Sequence, residues 1–259
     1  MSEALTLARR NLEHVRQIPE KLLDVTLQPV VFVLLFAFVF GGVIAIPDGN
    51  YREYLIGGIL IQTLAFGIMG PAASINTDMG EGMVDRLRTL PIRRSSYLMG
   101  HMIAEMVAVT LAIAVLCVAG LTIGWGIHSS VPEAIAGFAL LELFAFVMLW
   151  LGTLAGIMVR SADAVTGLIF ATVFPLTFIA NTFVPAGGLP DGLRQIAEWN
   201  PVSALAAAVR ELFGNPTALP DGAALPLQHP VAASLLWCGV LLAVFVPLTV
   251  WRFGVKTSD

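Results

Sequence analysis

The sequence predicts an all-α integral membrane protein: six transmembrane helices, an amphipathic interfacial helix ahead of the first, and short re-entrant helices between spans five and six. Three observations predict it. Hydrophobic residues make up 57% of the 259 residues and charged residues only 12%, against about 25% charged in a soluble domain; mean hydropathy is +0.84. The apolar residues fall into six runs, each close to the ~20 helical residues that a hydrocarbon core of ~30 Å requires. Lysine and arginine are distributed unequally between the segments that join those runs.

Residues 1–24 come first. Leu5, Ala8, Leu12, Val15, Pro19 and Leu22 recur every three or four positions, with Arg9, Arg10, Glu13 and Arg16 on other faces. Ser2 is placed to cap the start, and Glu3 suits the first turn. The pattern predicts a helix lying in the headgroup region.

The spans are expected near Val25–Ile46, Tyr54–Thr77, Tyr97–Ile123, Val131–Val159, Ala164–Phe183 and Val231–Trp251, within one membrane domain covering residues 25–259. The first run is too long for a cleaved signal peptide and has no small-x-small site before Pro47, so this span is expected to be retained. If the six alternate, Arg9, Arg10, Arg16, Lys21, Arg86, Arg88, Arg93, Arg94, Arg160, Arg252 and Lys256 share one side, and Arg52, Arg194 and Arg210 the other. The richer side is cytoplasmic by the positive-inside rule, so both termini are expected in the cytoplasm.

Within the spans, Gly152 and Gly156 form a Gly-xxx-Gly pair, a spacing that lets two helices approach closely in lipid. Pro29, Pro71, Pro175 and Pro247 each remove a backbone donor and predict bends. Between spans five and six, residues 184–230 are too long for a turn and too broken for a span. Pro190 and Pro201 are suited to start two short helices in the outer leaflet, with Leu193, Ile196 and Ala197 on one and Leu205, Val209 and Leu212 on the other.

Several chemistries are excluded. The chain has no G-x-x-x-x-G-K-[ST], no H-E-x-x-H and no G-x-S-x-G. Cys117 and Cys238 lie singly in apolar runs, which suits core residues rather than a disulfide framework or a zinc site. His101 and Glu105 share a helix face, where a local hydrogen bond is the expected use, since no third metal ligand is evident. Glu142 lies about 13 Å inside span four, counted from Glu133 at 1.5 Å per residue. A carboxyl group at that depth either faces a cavity and works, or sits protonated and hydrogen-bonded between helices. Phe32, Phe36 and Phe40, one helical turn apart, fit a path for an apolar ligand or an ordinary lipid-facing row.

The stretch EGMVDRLRTLPIRRSSYLMGH, from Glu81 to His101, concentrates two carboxylates and four arginines in a chain poor in charge. Met83, Val84, Leu87 and Leu90 form one helical stripe, Glu81, Asp85 and Arg88 lie off it, and Pro91 ends the pattern. Such a stripe rests on headgroups or docks into another protein.

Glu81 followed by Leu87-Arg88-Thr89-Leu90-Pro91, then basic residues and a third span, resembles the coupling segment of type-2 ABC transporter permeases, and within that class the daunorubicin-resistance permease family. Asn200-Pro201 before span six extends the likeness to nearly the whole chain. The resemblance implies an exporter permease subunit, not itself an enzyme, that moves an amphipathic drug, lipid or glycolipid outward across the cell membrane. It implies a second permease subunit, identical or homologous, and two copies of a separate ATPase carrying the ATP and Mg. No cofactor is implied in this chain. Residues 78–96 would form the coupling segment, with Glu81, Met83, Val84, Asp85, Arg86, Leu87, Arg88, Leu90 and Pro91 seated on the ATPase. Glu142, Phe32, Phe36, Asn200 and Pro201 would belong to the substrate path or its gate. Two competing classes stand beside this one: a gradient-driven secondary transporter built on Glu142, and a membrane-embedded enzyme, for which no acid/base pair or nucleophile converges.

Overall fold

The computed structural model describes residues 19–46, 49–80, 94–159 and 161–256. The expected interfacial helix (its residues 1–18) and the segment Glu81–Arg93 lie outside the described residues. Within them every regular element is helical: α1 (Pro19–Val39), α2 (Tyr51–Phe66), α3 (Met69–Gly80), α4 (Arg94–Thr122), α5 (Val131–Met158), α6 (Ala162–Ile179), a 3-10 turn (Ala186–Gly188), α7 (Asp191–Trp199), α8 (Pro201–Phe213), α9 (Leu225–Gln228) and α10 (Pro230–Lys256).

Among the described residues four stretches are long and apolar enough to cross a membrane: Tyr51–Gly80, Leu98–Thr122, Val131–Met158 and Pro230–Val255. The first and fifth of the expected spans correspond to α1 and α6, whose apolar stretches, Val30–Val39 and Asp163–Ile179, are shorter.

Local chemistry explains where the helices begin. Asn50 caps α2 by accepting a hydrogen bond from the Arg52 amide at 3.0 Å. At the head of α5, Glu133 accepts from the Ser130 amide at 2.9 Å, and Pro132 occupies the first turn, where no amide donor is needed. Ser161 caps α6 through the Ala164 amide, and α8 stops at Gly214, which takes the left-handed conformation at φ 68°.

Helix α5 is the axis of the bundle, touching α2, α3, α4, α6, α8 and α10. It has apolar residues on every face, as a helix surrounded by other helices must. By contrast α6 turns inward only through Val165, Ile169, Val173 and Thr177, one residue per turn, and leaves Leu168, Phe170, Phe174, Leu176 and Phe178 exposed.

The second expected span is two helices rather than one. The Gly67 amide donates to both Thr63 O at 2.9 Å and Leu64 O at 3.1 Å, which tightens the end of α2. The helix then restarts at Met69, so that Pro71 falls in its first turn. A proline there interrupts no ladder, because those amides have no acceptor in any helix.

The segment between α6 and α10 does contain the two predicted short helices, α7 and α8, and a third, α9. The predicted stripe on α8 is turned inward, with Leu205 and Val209 buried. On α7 only Ala197 is; Leu193 and Ile196 are exposed. The cause is polar. Glu198 faces inward, accepting from Arg194 Nε at 2.6 Å and from the Ala224 amide at 2.9 Å, and it brings Ala197 with it.

Candidate functional site

Two joints hold the broken second span, and they are built from different chemistry. The α3 joint is close. At Gly152 a Cβ would collide with the Ile68 carbonyl oxygen, and at Gly156 with Ile75 and the Ala72 carbonyl. The predicted Gly-xxx-Gly pair is thus where α3 lies backbone to backbone against α5. Asn76 of α3 completes the joint, its amide nitrogen donating to Gly156 O at 3.1 Å and Val159 O at 2.8 Å. These carbonyls belong to the last turn of α5, which has no helical donors left for them. Gly80 ends α3 immediately before the Glu81–Pro91 segment.

The α2 joint is polar and centres on Arg210 of α8, which the sequence reading had placed merely among the charges outside the spans. Its side chain is completely buried. Nε donates to Tyr54 O at 2.8 Å and Nη2 to Thr182 O at 2.9 Å, while the guanidinium carbon lies 3.5 Å from the centre of the Tyr54 ring. Tyr54, Gly57 and Gly58 share a face of α2, and that face makes the slot. A Cβ on Gly57 would come within 2.8 Å of Arg210 Cγ, and one on Gly58 would collide with Thr182 O. Tyr54 Oη donates to Asn181 O at 2.5 Å, and the Asn181 amide donates to Ser203 Oγ at 3.0 Å. Three segments, α2, the end of α6 and α8, are therefore pinned together.

Only the glycine pair of α2 and the arginine in an otherwise apolar stretch of α8 hinted at this in the sequence. Nothing local joined them, since the Arg210 to Tyr54 bond spans 156 positions.

The other predicted site residues are placed as follows. Glu142 lies between α5 and α4: Oε1 accepts from Thr110 Oγ1 at 2.9 Å, and Oε2 is enclosed with no hydrogen-bond donor among the described residues. Phe32 and Phe36 stack at 5.8 Å between centroids, and Phe36 continues to Phe40 at 5.1 Å and to Phe183 at 4.5 Å. From Phe183 the contacts run on through Phe178, Phe174 and Phe170 to Phe66. Eight phenylalanines from α1 and the turn after it, α2, α6 and the segment after α6 thus form one connected series, longer than the row legible in the first span alone.

Asn200 and Pro201 work as a helix start. Asn200 Oδ1 accepts from the Val202 amide at 2.9 Å, Nδ2 donates to Leu176 O in the last turn of α6 at 2.6 Å, and Pro201 takes the first helical position of α8. One asparagine side chain satisfies both helix ends. The nine coupling residues, Glu81 to Pro91, lie outside the described residues. Among the described residues no group of three or more His, Cys, Asp or Glu is gathered for a metal ion. Glu105 instead packs against α3, its Oε2 facing the space above Gly70.

A bundle of apolar helices with a broken second span and a polar-jointed segment before the last helix suits a multi-pass permease, and the comparisons agree. The chain is 28% identical to the daunorubicin resistance ABC transporter permease protein DrrB1 of Streptomyces coeruleorubidus, over all of this chain and 88% of that one. It is 22% and 24% identical to the putative transport permeases ycf38 of Cyanophora paradoxa and Porphyra purpurea, over 83% of this chain and 75% of each of those. The sequence pattern of ABC-2 type transporters matches residues 2–213, and with the match covering most of its length the chain belongs to the ABC-2 type transporter family.

Proposed function

We propose that this chain is the transmembrane subunit of an ATP-driven exporter, energised by a separate ATPase that seats the Glu81–Pro91 segment. The observation that carries the reading is the family match across residues 2–213 in a chain whose sequence has no phosphate-binding loop of its own. In this reading α1, the α2–α3 pair, α4, α5, α6 and α10 are the six spans, and both termini face the cytoplasm. Helices α7 to α9 then sit in the outer leaflet. Two such subunits, identical or homologous, pair above two ATPase subunits that hold the ATP and Mg. The substrate is an amphipathic drug, lipid or glycolipid moving outward across the cell membrane. The name of the Streptomyces relative supports the drug arm of that class, and the line of phenylalanines offers it an apolar route.

The α3–α5 joint supports a specific transmission. Motion imposed just beyond Gly80 enters α3, and α3 is packed backbone to backbone on α5, so the fourth span moves with the lower part of the second. Leu87→Asp tests the reading, because it puts a charge into a contact that is desolvated only if the ATPase covers it. With insertion and pairing unchanged, ATPase pull-down and transport-stimulated ATP hydrolysis are both expected to fall at least tenfold. Retained binding and stimulation would overturn the assignment of Glu81–Pro91 as the segment that the ATPase seats.

A further inference from the structure

We propose that Phe253, close to the end of α10, is a positioning residue for export. It closes an apolar clamp on the two helix ends between which the coupling segment runs. The proposal rests on the reading of Glu81–Pro91 as the segment that the ATPase seats.

The first observation is a second apolar cluster, apart from the main core. Ile75, Leu98, Ile157 and Phe253 are buried together, with Met79 packed against them. They come from four helices, α3, α4, α5 and α10. Ile75 and Met79 lie in the last two turns of α3, which ends at Gly80, and Leu98 lies near the start of α4, which begins at Arg94. The chain thus leaves this cluster at one edge of Glu81–Arg93 and comes back to it at the other edge.

The second observation is how α10 reaches the cluster. The buried residues of α10 are Pro230, Ser234, Cys238, Thr249 and Phe253, and of these only Phe253 is large. Every other large side chain of this helix is partly buried or exposed, so α10 commits one ring to the interior, at its far end. Val250, Trp251 and Val255 around that ring are exposed. The burial of Phe253 therefore belongs to its position and not to the helix end as a whole.

The third observation joins the cluster to the α3–α5 joint. Ile75 is the side chain with which a Cβ on Gly156 would collide, and Asn76, the next residue, bonds to Gly156 O at 3.1 Å and Val159 O at 2.8 Å. Ile157 follows Gly156 in the chain. The contact that seats α3 on α5 and the ring of α10 thus share one cluster. Dispersion contacts weaken sharply once surfaces part by about 0.5–1 Å. Without the ring, Ile75 and Leu98 would move independently, and motion at one end of the coupling segment would no longer carry to the other or to α10.

The test uses the full-length protein in lipid vesicles, with the ATPase with which it co-purifies and MgATP. Phe253→Ala should leave ATPase pull-down unchanged and lower the kcat of permease-stimulated hydrolysis about tenfold, at an unchanged KM for ATP. Phe253→Leu, which refills most of the space, should restore most of the rate. The control is Leu116→Ala in the main core, for which a similar fall in thermal midpoint is expected with hydrolysis retained. Full hydrolysis in Phe253→Ala, or a loss matched by Leu116→Ala at equal destabilisation, would overturn the clamp. The coupling reading is judged separately, by Leu87→Asp. If that variant keeps both binding and stimulation, or if no ATPase co-purifies, the coupling reading fails, and the clamp is decided on the chain alone by trypsin cleavage after Arg86, Arg88 and Arg93. Cleavage faster in Phe253→Ala than in Leu116→Ala upholds it, and equal rates overturn it.

Discussion

The two ends of the broken second span are held by opposite means. At α2 an arginine reaches across from α8 and makes directional bonds to two carbonyls and a ring. At α3 the contact depends on two glycines that let backbones touch, with Asn76 bonded to the last carbonyls of α5. In lipid, helices gain little from mere apolarity, because the tails are as apolar as leucine. Association then has to come from close packing or from hydrogen bonds, and this span uses one at each end. A polar joint fixes a geometry and resists sliding. A smooth glycine joint fixes a distance and transmits push and tilt, which suits the arm that leads toward the coupling segment.

The largest effect is expected at the polar joint. Arg210→Ala removes two hydrogen bonds from a charged donor and leaves a cavity under Tyr54, at a cost of about 3 kcal/mol or more. Thermal unfolding in detergent measures it, together with protease access to residues 184–230, which should rise. A loss below about 1 kcal/mol would mean that α8 is held mainly by its apolar face. Gly156→Val comes next. Its Cβ has no place to go except by parting α3 from α5, and overpacking of this kind costs about 1–3 kcal/mol. The smallest effect is that of Asn76→Ala, about 1 kcal/mol for a side-chain amide whose acceptors lie at a helix end. Combining Asn76→Ala with Arg210→Ala tests the comparison itself. The two losses should add within about 0.5 kcal/mol if the break at Gly67–Ile68 separates the joints. Strong coupling would instead mean that α2 and α3 behave as one rod.

Some of the working parts were legible in the sequence. Gly152 and Gly156 were marked as a packing pair and are one, because the spacing that brings two small residues to one helix face is local. Pro71 announced a bend, and the break lies just before it. For Asn200 and Pro201 the position before the last helix was visible, but not the bond from Asn200 to α6. The Phe32 and Phe36 row was visible too, although its continuation through Phe183 onto α6 depends on how helices far apart in sequence are set side by side. For Glu142 both readings remained open on sequence grounds, and its enclosure against Thr110 of α4 is a fact of helix rotation that periodicity does not settle. Arg210 was missed outright, since a lone arginine outside the spans reads as a solvated charge by every local rule.

By itself the sequence determined the class of the molecule, an all-helical membrane protein, and its family. Those follow from hydropathy summed over about 20 residues and from motifs short enough to be read in place. Tertiary structure alone decided that the second span is tied at one end to α8 and at the other to α5, and that an arginine from a short helix is the tie. A buried charge is stable only where several distant groups converge on it. No window of neighbouring residues contains Tyr54, Thr182 and Arg210 together, so that convergence appears only once the chain has folded.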